Sequence, residues 1–173
     1  MKKRVMLLVL CCCLLSAISV QAETPSAKSP MDWEISVQPK PDEQEAERNR
    51  WSGVFANDIG IYAFDQKSLH LDEADKNIVH VLTKTIFTDP KIIGSLNEKY
   101  KEKLAAEDEV SYSEMQMVFQ IKQKTYAVIG TKVFSREGKL LEDRQQTGKF
   151  APVPVKTFAE SMYIIAKNYH LNN

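Results

Sequence analysis

Met115-Gln-Met-Val-Phe-Gln-Ile-Lys-Gln-Lys-Thr-Tyr-Ala-Val-Ile-Gly-Thr-Lys-Val-Phe-Ser-Arg-Glu-Gly-Lys-Leu-Leu141 is the stretch whose reading decides the fold. Met115, Met117, Phe119 and Ile121 alternate with Gln116, Val118, Gln120 and Lys122, the period-two pattern of a strand with one buried face. The polar run Lys122-Gln123-Lys124 makes a turn. A second strand then runs from Tyr126 to Phe134, rich in β-branched and aromatic residues. Ser135 to Lys139 closes the next hairpin, with Gly138 free to take the positive φ the turn requires, and Leu140 and Leu141 begin the return strand.

Working outward, Trp51 to Phe55 and Ile59 to Phe64 read as two short strands about the turn-forming pair Asn57-Asp58. Ile78 to Phe87 is the longest β-like run of this half. Its apolar residues fall on both faces, which places it centrally with a helix over one side, and Thr88-Asp89-Pro90 ends it. Ser95-Leu96-Asn97-Glu98 fits a capping box, and Leu96, Tyr100 and Leu104 recur every four residues on a short charged helix that ends by Asp108. Phe150 to Val155 is extended around its prolines. Thr157 to Glu160 is a second capping box, and Phe158, Met162, Ile165, Ala166 and Tyr169 share one face of the helix it starts. The expected fold is α+β: one antiparallel sheet of about five to six strands, packed by a C-terminal helix, with a short charged helix inserted mid-chain.

The N-terminus carries an address. Lys2-Lys3-Arg4 is a basic n-region, Val5 to Val20 is nearly all apolar, and Val20-x-Ala22 offers small residues to signal peptidase, so cleavage is expected between Ala22 and Glu23. The alternative is a retained membrane anchor, for which the apolar run is short. All three cysteines, Cys11, Cys12 and Cys13, lie within that run, and none follows the small residue a lipidation site needs. A chain beginning at Glu23 therefore has no cysteine, and its domain must be held by its core rather than by disulfides.

Removing residues 1–22 leaves 20 basic against 23 acidic residues, a balance that argues against a general nucleic-acid binder. Residues 23–50 hold four of the seven prolines and a charged run from Asp42 to Arg50. They read as a flexible linker between a signal peptide (1–22) and a folded domain (51–173), with Trp33 to Val37 the one strand-like patch inside it.

The order of these features resembles the bacterial surface-adhesin E-like domain family. The resemblance is carried by Ile61-Tyr-Ala-Phe-Asp65 with Ser68, the valine-rich Val79 to Thr85, the hairpin Phe134 to Leu140 with Ser135 where the family has aspartate, and Phe150-Ala-Pro-Val-Pro154 ahead of an amphipathic helix containing Ile164-Ile165 and Asn168-Tyr169. It spans roughly residues 51–169. It implies a small antiparallel sheet with a C-terminal helix, export across the inner membrane, and, from the family's namesake, adhesion to host matrix proteins. Many relatives carry a cysteine in the strand before the central hairpin and another in the terminal helix. Here those positions fall on Ile121 and Ala166. The family's contact residues match no motif of this chain.

No catalytic constellation is legible. His70-x-Asp72-Glu73 lacks a third ligand at a diagnostic spacing, His80 sits within a strand, His170 is nearly terminal, and no glycine-rich phosphate loop exists. Met115 and Met117 at strand spacing are core filler rather than soft-metal ligands. No metal site, cofactor or catalytic residue is assigned, and no ligand-binding residue is identified. Tyr62, Tyr126, Lys84 and Lys132 are the side chains from which an exposed binding face could be made. Two function classes follow: an exported, non-catalytic binding or adhesion module at the periplasm or cell surface, and a periplasmic accessory protein acting through protein contacts, including self-association through an edge strand. An enzyme is the third and least supported class. The partner classes left open are protein ligands and a second copy of the chain, with no nucleic acid and no membrane beyond the signal segment.

Overall fold

Alternating burial makes Ile78–Phe87 (β4) the spine of the molecule: Val79, Val81, Thr83 and Thr85 are buried, while the residues between them face the other way. In the computed structural model, which describes residues 43–173, β4 lies inside an all-antiparallel sheet of eight strands. Six form the continuous order Trp51–Ala56 (β1), Gly60–Asp65 (β2), β4, Val110–Gln120 (β5), Thr125–Ser135 (β6) and Leu140–Gln145 (β7). The other two are two-residue strands, His70–Leu71 (β3) on β4 and Ala151–Pro152 (β8) on β6. The sheet therefore has more strands than the five to six expected, the excess being these two. The two short ones carry too few residues to display a period of two.

The Ile78 to Phe87 strand, the β5–β6–β7 meander and the positive φ of Gly138 (80°) follow the sequence pattern. Lys124, the last residue of the β5–β6 turn, also takes a positive φ, at 52°. Three helices complete the fold: Glu43–Arg50 (α1), Pro90–Tyr100 (α2) and Phe158–Leu171 (α3). Two expectations are corrected. Residues 43–50, read as the end of a flexible linker, form α1, whose Glu47 accepts from the Trp51 indole at 2.7 Å and whose Arg50 pairs with buried Asp65 at 2.6 Å. The α2 start is not the Ser95 box but Asp89, whose carboxylate accepts from the Lys91 N–H at 2.8 Å with Pro90 in the first turn. The Asp-Pro pair that ends β4 is also the signal that starts α2. The signal cleavage pair Ala22–Glu23 and the strand-like Trp33 to Val37 lie outside the described residues.

Both α2 and α3 lie on one side of the sheet. Thr157 caps α3 as its sequence indicates, accepting from the Glu160 N–H, while the Glu160 carboxylate receives the Lys156 N–H at 2.6 Å. Met162, Tyr163 and Ala166 of α3 then pack on Val79, Val81, Met117, Phe119 and Ile121, and the Tyr163 hydroxyl donates to the Ile121 carbonyl at 2.9 Å. At the other end of the same side, Leu96, Tyr100 and Leu104 close on Val110, Val133 and Leu141. One face of the sheet is consumed by the core. The other is not.

Candidate functional site: the open face of the sheet

Cross-strand register turns that second face into ordered rows. Ile61 of β2 pairs with Ile86 of β4, Ile86 with Tyr112 of β5, Tyr112 with Phe134 of β6, and Phe134 with Leu140 of β7. The result is an apolar row crossing five strands. Ile61, Ile86 and Leu140 are 45%, 39% and 46% exposed, and Tyr112 stacks on Phe134 with ring centroids 4.7 Å apart. Leaving such residues in water forgoes roughly 25 cal/mol for each Å² of apolar surface, and contiguous apolar exposure marks interaction surfaces.

Two residues further along β4, β5 and β6, and three along bulged β7, runs a charged row: Lys84 of β4, Glu114 of β5, Lys132 of β6 and Asp143 of β7, register partners in that order. Lys84 pairs with Glu114 and Lys132 with Asp143, each at 3.7 Å. The Lys84 ammonium is also held 4.0 Å above the Trp51 ring and 4.6 Å from the Tyr112 ring, and pairs with Glu47 of α1. These contacts fix the local titration. The Glu47 carboxyl is held below the usual carboxylate range, chiefly by the Trp51 indole N–H, with Lys84 and Arg50 adding to it. Burial pushes the Tyr112 phenol up, and Glu114 and Glu47 push the same way.

Beyond these lie Leu82, Gln116, Gly130 and Gln145, then His80, Val118 and Ala127. Arg50 of α1 overhangs the first of these rows, beside a depression of about 230 Å³ that Gln116, Lys132 and Gln145 also line. His80 stacks on His70 of β3 at 4.8 Å and meets Asp72 at 3.0 Å, which holds the exposed Asp72 carboxyl below its ordinary range. His70 and Asp72 thus converge on His80 rather than on a shared empty point, and no group of three or more His, Cys, Asp or Glu side chains disposed to hold a metal occurs among the described residues. His170 lies in the last turn of α3.

Of the four residues from which a binding face could be made, two are placed here and two are not. Lys84 and Lys132 are on the open face, the Lys132 side chain 42% exposed and that of Lys84 only 12%, held against Trp51, Glu47 and Glu114. Tyr62 and Tyr126 are on the helix-covered one: Tyr62 stacks on Phe55 at 4.7 Å and lies 5.0 Å from Phe158 of α3, and Tyr126 packs near Phe119, rings 6.1 Å apart. The cause at Tyr126 is a bulge. Gln116 pairs with Gly130 but Met117 with Val128, so Ile129 is an extra residue that reverses the parity of β6. Tyr126 and Lys132, both even-numbered, therefore face opposite ways. The apolar row was missed because its members are single residues on separate strands, which register alone assembles.

No family model matches the sequence, and no curated protein does. Solved structures of Haemophilus influenzae protein E are similar in fold. One aligns with a TM-score of 0.55 at 11% identity, covering 73% of this chain and 89% of that chain. Its crystal form II aligns with a TM-score of 0.50 at 12% identity, covering 63% and 81%. At such identities the likeness is one of fold. It agrees with the architecture the family resemblance implied, a sheet with a C-terminal helix. No helix among the described residues is long and apolar enough to cross a membrane.

Proposed function

We propose that the chain is an exported, non-catalytic binding module of the adhesin type that engages protein surfaces through the open face of its sheet. The observation that carries this reading is the row Ile61–Ile86–Tyr112–Phe134–Leu140, apolar side chains set beside a charged row on the face that α2 and α3 leave uncovered. A central aromatic–aliphatic strip with a charged margin is the composition of an interface centre and its rim. The fold-level likeness to protein E and the family resemblance support the same class. Localisation at the periplasm or cell surface belongs to this proposal and draws on the N-terminal segment.

The test is binding to an immobilised, solubilised basement-membrane extract. Ile86→Asp should reduce binding at least tenfold, and Ile164→Asp, on the outer side of α3, should leave it unchanged. Equal binding by wild type and Ile86→Asp would refute the assignment of the face.

A further inference from the structure

Leu82 of β4, Gln116 of β5, Gly130 of β6 and Gln145 of β7 are register partners in one row, and this row floors a trough. The depression of about 230 Å³ at its Lys132 end adjoins a second of about 350 Å³, and Arg50, Leu82 and Gln116 line both. His80 and Ile129 bound the larger one, whose volume falls in the usual range of small-molecule sites, about 300–1,000 Å³. Gly130 decides what stands in the trough. A Cβ there would lie 2.8 Å from the Gln116 Oε1 and 3.0 Å from the Gln145 Oε1, so the two amides meet above a backbone that carries no side chain.

The chemistry of the lining selects a ligand class. Its charged side chains are already paired within the chain: Arg50 with Asp65 at 2.6 Å, and Lys132 with Asp143 and Glu114 with Lys84 at 3.7 Å each. An entering ion would have to displace one of these partners, so the trough favours a ligand without net charge. The neutral groups are the unspent ones. The exposed Gln116 amide makes no hydrogen bond among the described residues, and Gln145 commits only its NH2, to Asp143 at 3.2 Å. An amide offers two donors and a carbonyl acceptor, and the Arg50 guanidinium keeps N–H groups beyond the Nε that donates to Asp65. Hydroxyl groups, each donor and acceptor at once, match such a set, while Leu82 and Ile129 offer apolar surface to the C–H face of a ring. We infer that this trough binds a neutral saccharide unit of a glycan, with the Gln116 and Gln145 amides on its hydroxyls and a ring face on Leu82. An extended peptide is less favoured, because β4, β5 and β6 spend their backbone groups on one another and a sheet face offers no ladder to join. The inference goes beyond the proposed function, since it concerns other rows of the open face than the Ile61–Leu140 strip.

The experiment uses the full chain, multimerised on streptavidin so that avidity offsets weak single contacts, on a printed array of neutral and acidic oligosaccharides. Binding to neutral members is expected. Gln116→Ala truncates an exposed side chain and should reduce that binding at least tenfold, and Gly130→Ala, which crowds both amides, should weaken it as well. Ile86→Asp, on the apolar strip, should leave it unchanged. Circular dichroism of each variant checks that the fold is kept. No binding to any neutral member, binding confined to sialylated or sulfated members, or neutral binding that Gln116→Ala leaves intact would each overturn the inference. The same chains are run on the basement-membrane extract after enzymatic deglycosylation. An array without neutral binding, beside a deglycosylated extract still bound through Ile86, removes the saccharide and keeps the proposed function. Array binding that depends on Gln116, beside an Ile86→Asp variant that binds the untreated extract like wild type, keeps the saccharide and removes the apolar strip as the binding surface.

Discussion

Ile121 sits where the β5–β6 turn meets α3, and its truncation to alanine measures how much of the domain's stability lies in that contact. The side chain is 8% exposed, within the cluster that Met162, Tyr163 and Ala166 of α3 share with Val79, Val81 and Phe119. Ile121→Ala deletes three carbons, about 2.4 kcal/mol of transfer free energy at ~0.8 kcal/mol per methylene. The vacated space adds a cavity term, since the Tyr163 hydroxyl bonded to the Ile121 carbonyl restrains collapse. The total is about 3 kcal/mol, or a melting midpoint lowered by roughly 10 °C. Ile164→Ala is the control, because Ile164 is 52% exposed on the same helix as that contact and should change stability by no more than about 0.5 kcal/mol. Urea unfolding followed by circular dichroism reads both, with the slope unchanged between variants. A cost below about 1 kcal/mol for Ile121→Ala, or equal costs for the two, would refute the assignment of α3's inner face.

Further outcomes are expected elsewhere. Lys99 at 2.9 Å and the Tyr100 hydroxyl, the larger cause, hold the Glu142 carboxyl down to about 2 from its ordinary 4.5, so its contribution is full above pH 4.5 and is lost as pH falls toward 2. After solvent screening this is on the order of 1–2 kcal/mol, and Glu142→Gln should flatten the fall in stability over that interval. Gly60→Ala would drive a Cβ into the Ile86 carbonyl across the β2–β4 pair, so it should cost roughly 2 kcal/mol or more in a thermal melt. Ile121→Cys with Ala166→Cys, at the positions that the family resemblance assigns to cysteines and that share one buried cluster here, should oxidise readily and raise stability by about 2–4 kcal/mol. Failure of that pair to close would refute the placement of the family pattern on this chain.

The sequence exposes whatever repeats along a single element. Ile78 to Phe87 declares itself as a long β-like run with apolar residues on both faces, and α3 because Thr157 and Glu160 mark its start while Met162 and Ala166 keep its stripe. Short or doubled signals were harder. β3 and β8 are two residues each, α1 is a charged helix with little apolar stripe to reveal it, and Asp89-Pro90 serves both as strand stop and helix cap. The binding face was legible only in part, for two physical reasons. Alternation separates two faces of a strand but does not say which face the helices take, so Tyr62 was grouped with Lys84 when its partner is Thr85, one residue away and facing oppositely. The bulge at Ile129 then reversed parity between Tyr126 and Lys132. An apolar row made of one residue per strand leaves no trace in any window of sequence.

The isoleucine methyl spectrum of the chain, recorded with and without the basement-membrane extract, tests the central claim most directly. Ile61 and Ile86 report the open face, Ile121 the buried core and Ile164 the outer side of α3. Engagement through the open face predicts that the Ile61 and Ile86 methyl signals shift or broaden while those of Ile121 and Ile164 stay in place. Changes confined to Ile164, with Ile61 and Ile86 unmoved, would contradict it.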